Sequence, residues 1–356
     1  MNHITLIGID TAKTVFHLHA VDSHGKKVYQ KKLTREKLLA FIGQCPPCVV
    51  ALEACTACHY WAREFSQRGH TVRLISARRV QSFTSRNKND FNDARAITKA
   101  ARDPDTYFVA PKSIEQQAIQ ALHTTRATTI NQQTALVNAT RALLAEFGLV
   151  VPQGREKLMQ ALPLILEDAD NSLPDLVRAL IAENHERLRQ FREAIKRYDR
   201  KLEQYLKQSE LAQRFDAIPG VGVLISTAMT YAMPDPQVYK NGRQFAACLG
   251  LTPKEHSSGG KQRMGKLSKE GNPYLRKILV QGAHALLQRA HRKTDALSQW
   301  AARLKQTKPI NLVAIALANK IARISWSMAA HHESFHYPRT THPRVNSVHD
   351  HQGINE

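Results

Sequence analysis

Ile4-Thr5-Leu6-Ile7-Gly8-Ile9-Asp10 is an apolar run of strand length that ends on an acid, and a second β-rich run, Val15-Phe16-His17-Leu18-His19-Ala20-Val21, follows almost at once. Asp22-Ser23-His24-Gly25 supplies a turn, and Lys27 to Leu33 reads as a third strand, so the domain starts as an antiparallel meander. Beyond it the pattern becomes helix to about Gln44, buried strand Val49–Ala54, helix to Arg68 and strand Val72–Ser76. Strands that alternate with helices after an antiparallel start predict a mixed sheet in an α/β domain. Asn92 to Arg102 has helical character, and Asp103-Pro104-Asp105 stops it.

Long polar helices are expected next, from about Ser113 to Phe147 and from Pro174 to Gln208. In the second, Ile181, Leu188, Phe191, Ile195, Tyr198, Leu202 and Tyr205 recur at spacings of three and four with only Asn184 missing from the seam, a stripe that wants a partner helix. A helical hairpin closing on itself and an intersubunit coiled coil both satisfy it. A third, mainly helical region runs from Phe215 to about Ala330, where Asn272-Pro273 is a strong helix start. The boundaries drawn from this are 1–110, 111–214, 215–330 and a tail, 331–356, that carries six histidines and little apolar content and is expected to be disordered.

Composition narrows the function. The 356 residues carry 51 Lys and Arg against 30 Asp and Glu, a formal charge of +21, an excess that calls for a polyanionic partner, nucleic acid first. With 42% hydrophobic residues the chain is not a disordered basic tail. No uninterrupted apolar run reaches a membrane-spanning length, and the start at Met1-Asn2-His3-Ile4 does not resemble a signal peptide, so no membrane partner and a cytoplasmic, nucleoid-associated location are expected. Cys45-x-x-Cys48 and Cys55-x-x-Cys58 suggest zinc at first sight. A strand over residues 49–54 would put Cys48 and Cys55 roughly 23 Å apart, too far for one ion, and free thiols in a reducing compartment are expected.

Asp10 ends one apolar strand and Glu53 sits in another, and a carboxylate there is costly unless something neutralises it. Asp90 and Asp93 stand three residues apart at a helix start, on one face. Each acid alone has a bland reading as turn, cap or ion-pair partner. Together they make a hard-oxygen set suited to magnesium, whose chemistry on phosphodiesters needs such ligands. First strand, fourth strand and later helix is the layout of the RNase H-like nuclease fold.

At this point a resemblance becomes specific. Ile9-Asp10-Thr11-Ala12-Lys13, Leu52-Glu53-Ala54 and Asn89-Asp90-x-x-Asp93-Ala94-Arg95 resemble the Asp-Glu-Asp-Asp motifs of an insertion-sequence transposase family with a RuvC-like N-terminal domain. Ile218-Pro219-Gly220-Val221-Gly222, Phe245 to Pro253, Ser258-Gly259 and Lys269-x-Gly271-Asn272-x-x-Leu275-Arg276 are similar to its C-terminal transposase domain. The resemblance implies a RuvC-like domain over 1–110, a helical or coiled-coil spacer over 111–214, and a transposase domain with a helix-hairpin-helix-like turn over 215–330. It further implies DNA as substrate, a guide RNA, and a serine recombinase in which Asp10, Glu53, Asp90 and Asp93 hold Mg2+ and Ser258 is the nucleophile. The cysteines at 55 and 58 stand where the family more often has small or hydroxyl residues.

By composition alone Ser257-Ser258-Gly259-Gly260 is a flexible loop, and Ser257 rivals Ser258. His256 stands too close in sequence to act as base toward Ser258. The Pro219 to Gly222 turn reads either as a capping loop or as a hairpin whose amides, Gly220 and Gly222 among them, hold a phosphate. From Lys240 to Lys293 twelve basic residues face two acids, and Lys254, Lys261, Arg263, Lys266, Lys269, Arg276 and Lys277 are the expected nucleic-acid contacts. Ser258 follows Asp93 by 165 positions, so a site using both points to a dimer or tetramer. A Holliday-junction-type nuclease without a covalent serine step and a non-enzymatic nucleic-acid scaffold are the rival readings.

Overall fold

The computed structural model describes residues 4–84, 89–257, 261 and 263–335. The chain divides into two compact units, one of Met1–Ala212 with Ser226–Lys240 and one of Gln213–Ile225 with Asn241–Glu356.

The first unit is built on six strands, β1 (Leu6–Thr11), β2 (Val15–Val21), β3 (Lys27–Thr34), β4 (Val49–Glu53), β5 (Thr71–Ile75) and β6 (Phe108–Val109), in the order β3-β2-β1-β4-β5-β6. β1, β2 and β3 pair antiparallel, β4 is parallel to β1 and to β5, and β6 is antiparallel to β5. This is the mixed sheet expected from the sequence, and with its helices it is compatible with an RNase H-like α/β domain.

Side chains alternate across a strand, so β1 and β2 each serve two layers. Ile7, Ile9, Phe16 and Leu18 enter one core with Leu38 and Ile42 of α1 (Arg35–Gly43) and Trp61 and Phe65 of α2 (Cys58–Gln67). Trp61 meets Phe16 edge-on at 4.9 Å, and burying rings and aliphatic chains of this size contributes about 1.5–3 kcal/mol apiece. Leu6, Val21, Ala51 and Ile75 point the other way, toward Val80 of α3 (Ala77–Gln81) and Ala96, Ile97, Ala100 and Ala101 of α4 (Asp90–Arg102).

Gly8 lets α4 come down onto the sheet. A Cβ at that position would stand 2.2 Å from Thr98 Oγ1 and 2.6 Å from the Ala94 carbonyl oxygen. Thr98 fills the contact instead, its hydroxyl within 2.9 Å of the Ala94 carbonyl and 3.2 Å of His19 Nδ1.

A helical layer follows in the same unit: α5 (Ile114–Glu146), α6 (Arg155–Glu167) and α7 (Asp175–Gln208). Ser113 and Gln116 form a reciprocal capping box at the start of α5. Val137 and Leu144 of α5, Leu158 and Leu162 of α6, and Ile181 and Leu188 of α7 share one core. The apolar stripe of α7 thus finds partners within its own chain at Ile181 and Leu188, and Leu202 is buried too, while Phe191, Ile195, Tyr198 and Tyr205 are half-buried. Helix α6 was not expected, because Pro163 lies inside it. α8 (Glu210–Asp216) leads to α9 (Val223–Ala232), whose first residues belong to the second unit and the rest to the first.

The second unit holds α10 (Gly242–Cys248), a hairpin of β7 (Pro253–Glu255) and β8 (Met264–Leu267), α11 (Pro273–Arg289), α12 (Ala296–Thr307) and α13 (Ile310–Ala330). Asn272 caps α11 as anticipated, its side-chain oxygen accepting from the Tyr274 and Leu275 amides at 2.9 and 3.3 Å. α13 has the length and composition of a membrane span, with a mean hydropathy of 1.2 over its most apolar window. Half of that window is buried, and Val313, Leu317 and Ile321 are fully so, as a core helix requires. The tail from residue 336 lies outside the described residues.

Candidate active site

β1 and β4 run parallel with Ile9 opposite Leu52, so one step further on Asp10 and Glu53 lie side by side at the carboxyl edge of the sheet. They share a face with Gly8 and Ala51, the face that α4 covers. α4 begins at that edge: Asn89 caps it by accepting from the Phe91 amide at 3.0 Å, and Asp90 and Asp93 occupy its first turn. The close packing at Gly8 therefore carries two acids of a helix over two acids of adjacent strands.

Ligand atoms of Asp10, Asp90 and Asp93 all lie within 4.8 Å of one another. Burial pushes the Asp10 carboxyl above its ordinary pKa, and the Asp93 and Asp90 carboxylates push it the same way. Glu53 is raised as well, by burial first and then by Asp10 and Asp93, which places its charge beside the trio although it is not one of the tightly grouped three. Two groups offset this crowding at Asp10: His17, which lies on the next strand in register with it, and then the backbone amide of Thr11. His17 Nδ1 stands 3.6 Å from Asp90 Oδ2, and its ring meets Phe91 edge-on at 4.8 Å. One imidazole against four carboxylates leaves a set of hard oxygens with negative charge to spare, which fits a divalent cation.

His17 did not stand out in the sequence. Its signal was present in the alternation His17-Leu18-His19, which puts both imidazoles on the face of Gly8 and Asp10. Cys55 Sγ lies 3.2 Å from Thr11 Oγ1 at the edge of this site, whereas Cys48 Sγ lies 3.5 Å from His70 Nδ1 at the other end of β4.

Ser258, Gly259 and Gly260 lie outside the described residues. Ser257 is described, and its hydroxyl is engaged: it donates to Glu255 Oε1 at 2.6 Å and accepts from the Arg263 amide at 3.2 Å. Lys254, Lys261, Arg263, Lys266, Lys269 and Lys277 are exposed, four of them on or beside the β7–β8 hairpin. Arg276 has a different setting. Its Nη1 donates to the carbonyls of Leu249 at 3.1 Å and Glu270 at 2.7 Å, tying together two tight loops. Those loops interlock at Gly250 and Gly271, both at positive φ, where a Cβ would strike Glu270 and Cys248 backbone respectively. Gly220, at φ +84°, turns against α11, with the Gly282 carbonyl 3.3 Å from where a Cβ would be, while Gly222 has open space there.

Comparison with known proteins matches the chain in two stretches. Residues 212–299 match the family profile described as "Transposase IS116/IS110/IS902 family", and residues 7–148 match a DEDD-type IS110 profile described as "Transposase". A "Probable family 20 transposase" of Pseudomonas aeruginosa is 41% identical over 327 residues, covering 92% of this chain and 97% of that protein. The "Transposase for insertion sequence element IS1328" of Yersinia enterocolitica is 38% identical with the same coverage. The "Transposase for insertion sequence element IS1111A" of Coxiella burnetii is 36% identical over 94% of this chain and 92% of that protein.

Proposed function

The chain belongs to the IS116/IS110/IS902 family of transposases, enzymes that cleave and rejoin DNA, and from that premise we propose that its two units supply two halves of one strand-exchange chemistry. The observation that carries this reading is the convergence of Asp10, Asp90 and Asp93, with Glu53 beside them, at the carboxyl edge of the sheet.

These four residues would hold Mg2+. When bound there, the ion would polarise a scissile phosphate and stabilise the charge that develops on its oxygens. The carboxylates themselves fix where the phosphate must lie, and the His17 ring holds Asp90 in place. Ser258 is the nucleophile in this proposal: its Oγ bonds to phosphorus, the phosphorus bond to one strand's sugar oxygen breaks, and the hydroxyl proton ends on that leaving oxygen. The phosphoserine linkage keeps the phosphodiester's energy, so a hydroxyl of another strand can reverse the step and rejoin. Ser257, already bonded to Glu255 and to the Arg263 amide, serves the hairpin instead. Exposed Lys254, Lys261, Arg263, Lys266 and Lys277 supply positive charge toward the nucleic acid, and a structured guide RNA selects the target. Ser258 follows Asp93 by 165 positions, and a chemistry that uses both brings a dimer or tetramer into the proposal.

The test is cleavage of labelled element-end DNA in the presence of the candidate RNA. Asp10→Asn, Glu53→Gln, Asp90→Asn and Asp93→Asn should each abolish cleavage while RNA and DNA binding persists. Wild-type cleavage in EDTA, or an active Asp10→Asn protein, would remove the metal site from the account.

A further inference from the structure

A cleft of about 630 Å3 runs beside α4 on the side away from β4, walled by β2 and β3. Arg95, Lys99 and Arg102 of α4 line it at helical spacings of four and three, and Lys27 of β3 faces them across it. All four are exposed. At the cleft's other end are Asn89, Phe91 and Asn92, the same turn that carries Asp90 and Asp93.

A row of cations on a helix usually needs no special explanation when acids stand a turn away. On α7, Arg187, Arg189 and Lys196 each pair with such a glutamate, Glu183, Glu186 and Glu193. On α4 the row has none: among the described residues neither Arg95, Lys99, Arg102 nor Lys27 has an ion-pair partner. Instead of dispersing, they converge. Gly25, at φ +82°, leaves the place a side chain would fill to the Arg102 guanidinium, bringing that charge to the cleft wall. His19, at the cleft floor, is held below its ordinary pKa by burial first and then by Arg95, Lys27 and Lys99. Mutual repulsion of four such groups opposes folding, and a polyanion relieves it.

We propose that this cleft binds the phosphodiester backbone of a nucleic-acid strand and leads it to the acidic edge where Asp10, Asp90 and Asp93 meet. It rests on the function proposed above for the destination, and adds a binding surface in the first unit, apart from the basic hairpin of the second. Gln30 and Asn92 offer uncharged polar groups within the same cleft, as contact with sugar and phosphate without base readout requires. The backbone could be that of DNA or of RNA, which share the chemistry recognised.

The experiment is a salt titration of strand binding by the full chain, with fluorescein-labelled single-stranded DNA and, in parallel, RNA of the same sequence. For a single strand each phosphate contact contributes about 0.7 to the slope of log affinity against log salt. Arg95→Gln with Lys99→Gln should therefore lower the slope by about 1.4, and Lys27→Gln, on another element, by about 0.7 more. These side chains are exposed, and unchanged circular dichroism and melting would exclude misfolding as the cause. A lowered slope with DNA identifies the strand as DNA, a lowered slope with RNA identifies it as RNA, and either supports the channel. An unchanged slope with both overturns it. Metal-dependent cleavage by the wild-type chain is read separately, so an unchanged slope alongside normal cleavage removes the channel and leaves the active site standing.

Discussion

Asp10 shows how a single residue is set by two opposing demands. It stands next to last in β1 after a run of buried residues, and it faces Asp90 and Asp93, so burial and like charge both work against its ionised form. In the protein without metal, Asp10→Asn should therefore stabilise the fold and raise its melting temperature, because it removes a charge that burial and two neighbouring carboxylates disfavour. Divalent cation should then stabilise the wild type, by about 2.7 kcal/mol at a hundred times its dissociation constant, and leave Asp10→Asn unmoved. Scanning fluorimetry across a Mg2+ or Mn2+ series reads both, and an equal response of the two proteins would count against the site. Such acids were legible in the sequence because a carboxylate closing an apolar strand is costly. His17 was not, because an imidazole in an alternating strand looks like any other half-buried polar residue until its cross-strand partner, Asp10, is known. Arg276 was legible only as charge, since its bonds to the carbonyls of Leu249 and Glu270 depend on two loops meeting.

At the scale of elements, strands β1 to β5 and helices α1, α2 and α4 followed from alternation, turn residues and caps. Helix α3, strand β6 and helix α6 did not: the first two are five and two residues long, too short for periodicity, and the third contains a proline. The packing of α4 on β1 is the contact on which the site depends. Gly8→Ala should push the helix off the strand, cost about 1–3 kcal/mol and weaken divalent-cation binding, whereas Gly222→Ala, with open space around it, should be nearly neutral. Denaturant melts with a metal titration separate the two; equal effects would deny the close approach its role. A second contact sets a pH limit. His123 of α5 is fully buried, with Nε2 2.9 Å from Thr227 Oγ1 of α9, and burial, then Arg126, holds its pKa at about 4. The unfolded chain takes up this proton near pH 6.5, so the stability due to neutral His123 is present above that pH and lost as pH falls toward 4, about 3 kcal/mol in all. Urea melts from pH 7 to pH 4.5 should show the loss, and His123→Gln should flatten it; a slope unchanged in the variant would assign it elsewhere.

For the whole molecule, the charge of +21 belongs to a chain whose relatives are transposases, and it should make nucleic-acid affinity steeply salt-dependent. Reversing Lys261 and Arg263 to Glu should weaken binding across all sequences and lower the salt slope by about one per lost contact; unchanged affinity would move the surface off the hairpin. How much of this molecule could be read without a structure differed between its units. The acidic half follows from where carboxylates sit on strands and a helix, but nothing in the physical chemistry of Ser257-Ser258-Gly259-Gly260 distinguishes a nucleophile from a loop, and that assignment came from resemblance. The engaged hydroxyl of Ser257 adds a physical reason to look to its neighbour. The most direct measurement is therefore to incubate the protein with labelled element-end DNA, its candidate RNA and Mg2+, denature it, and map any nucleotide-bearing peptide by mass spectrometry. The account predicts an adduct on Ser258 that disappears in Ser258→Ala and in Asp10→Asn and survives in Ser257→Ala. Recombination by Ser258→Ala, an adduct on Ser257, or DNA cleavage with no adduct at all would contradict it.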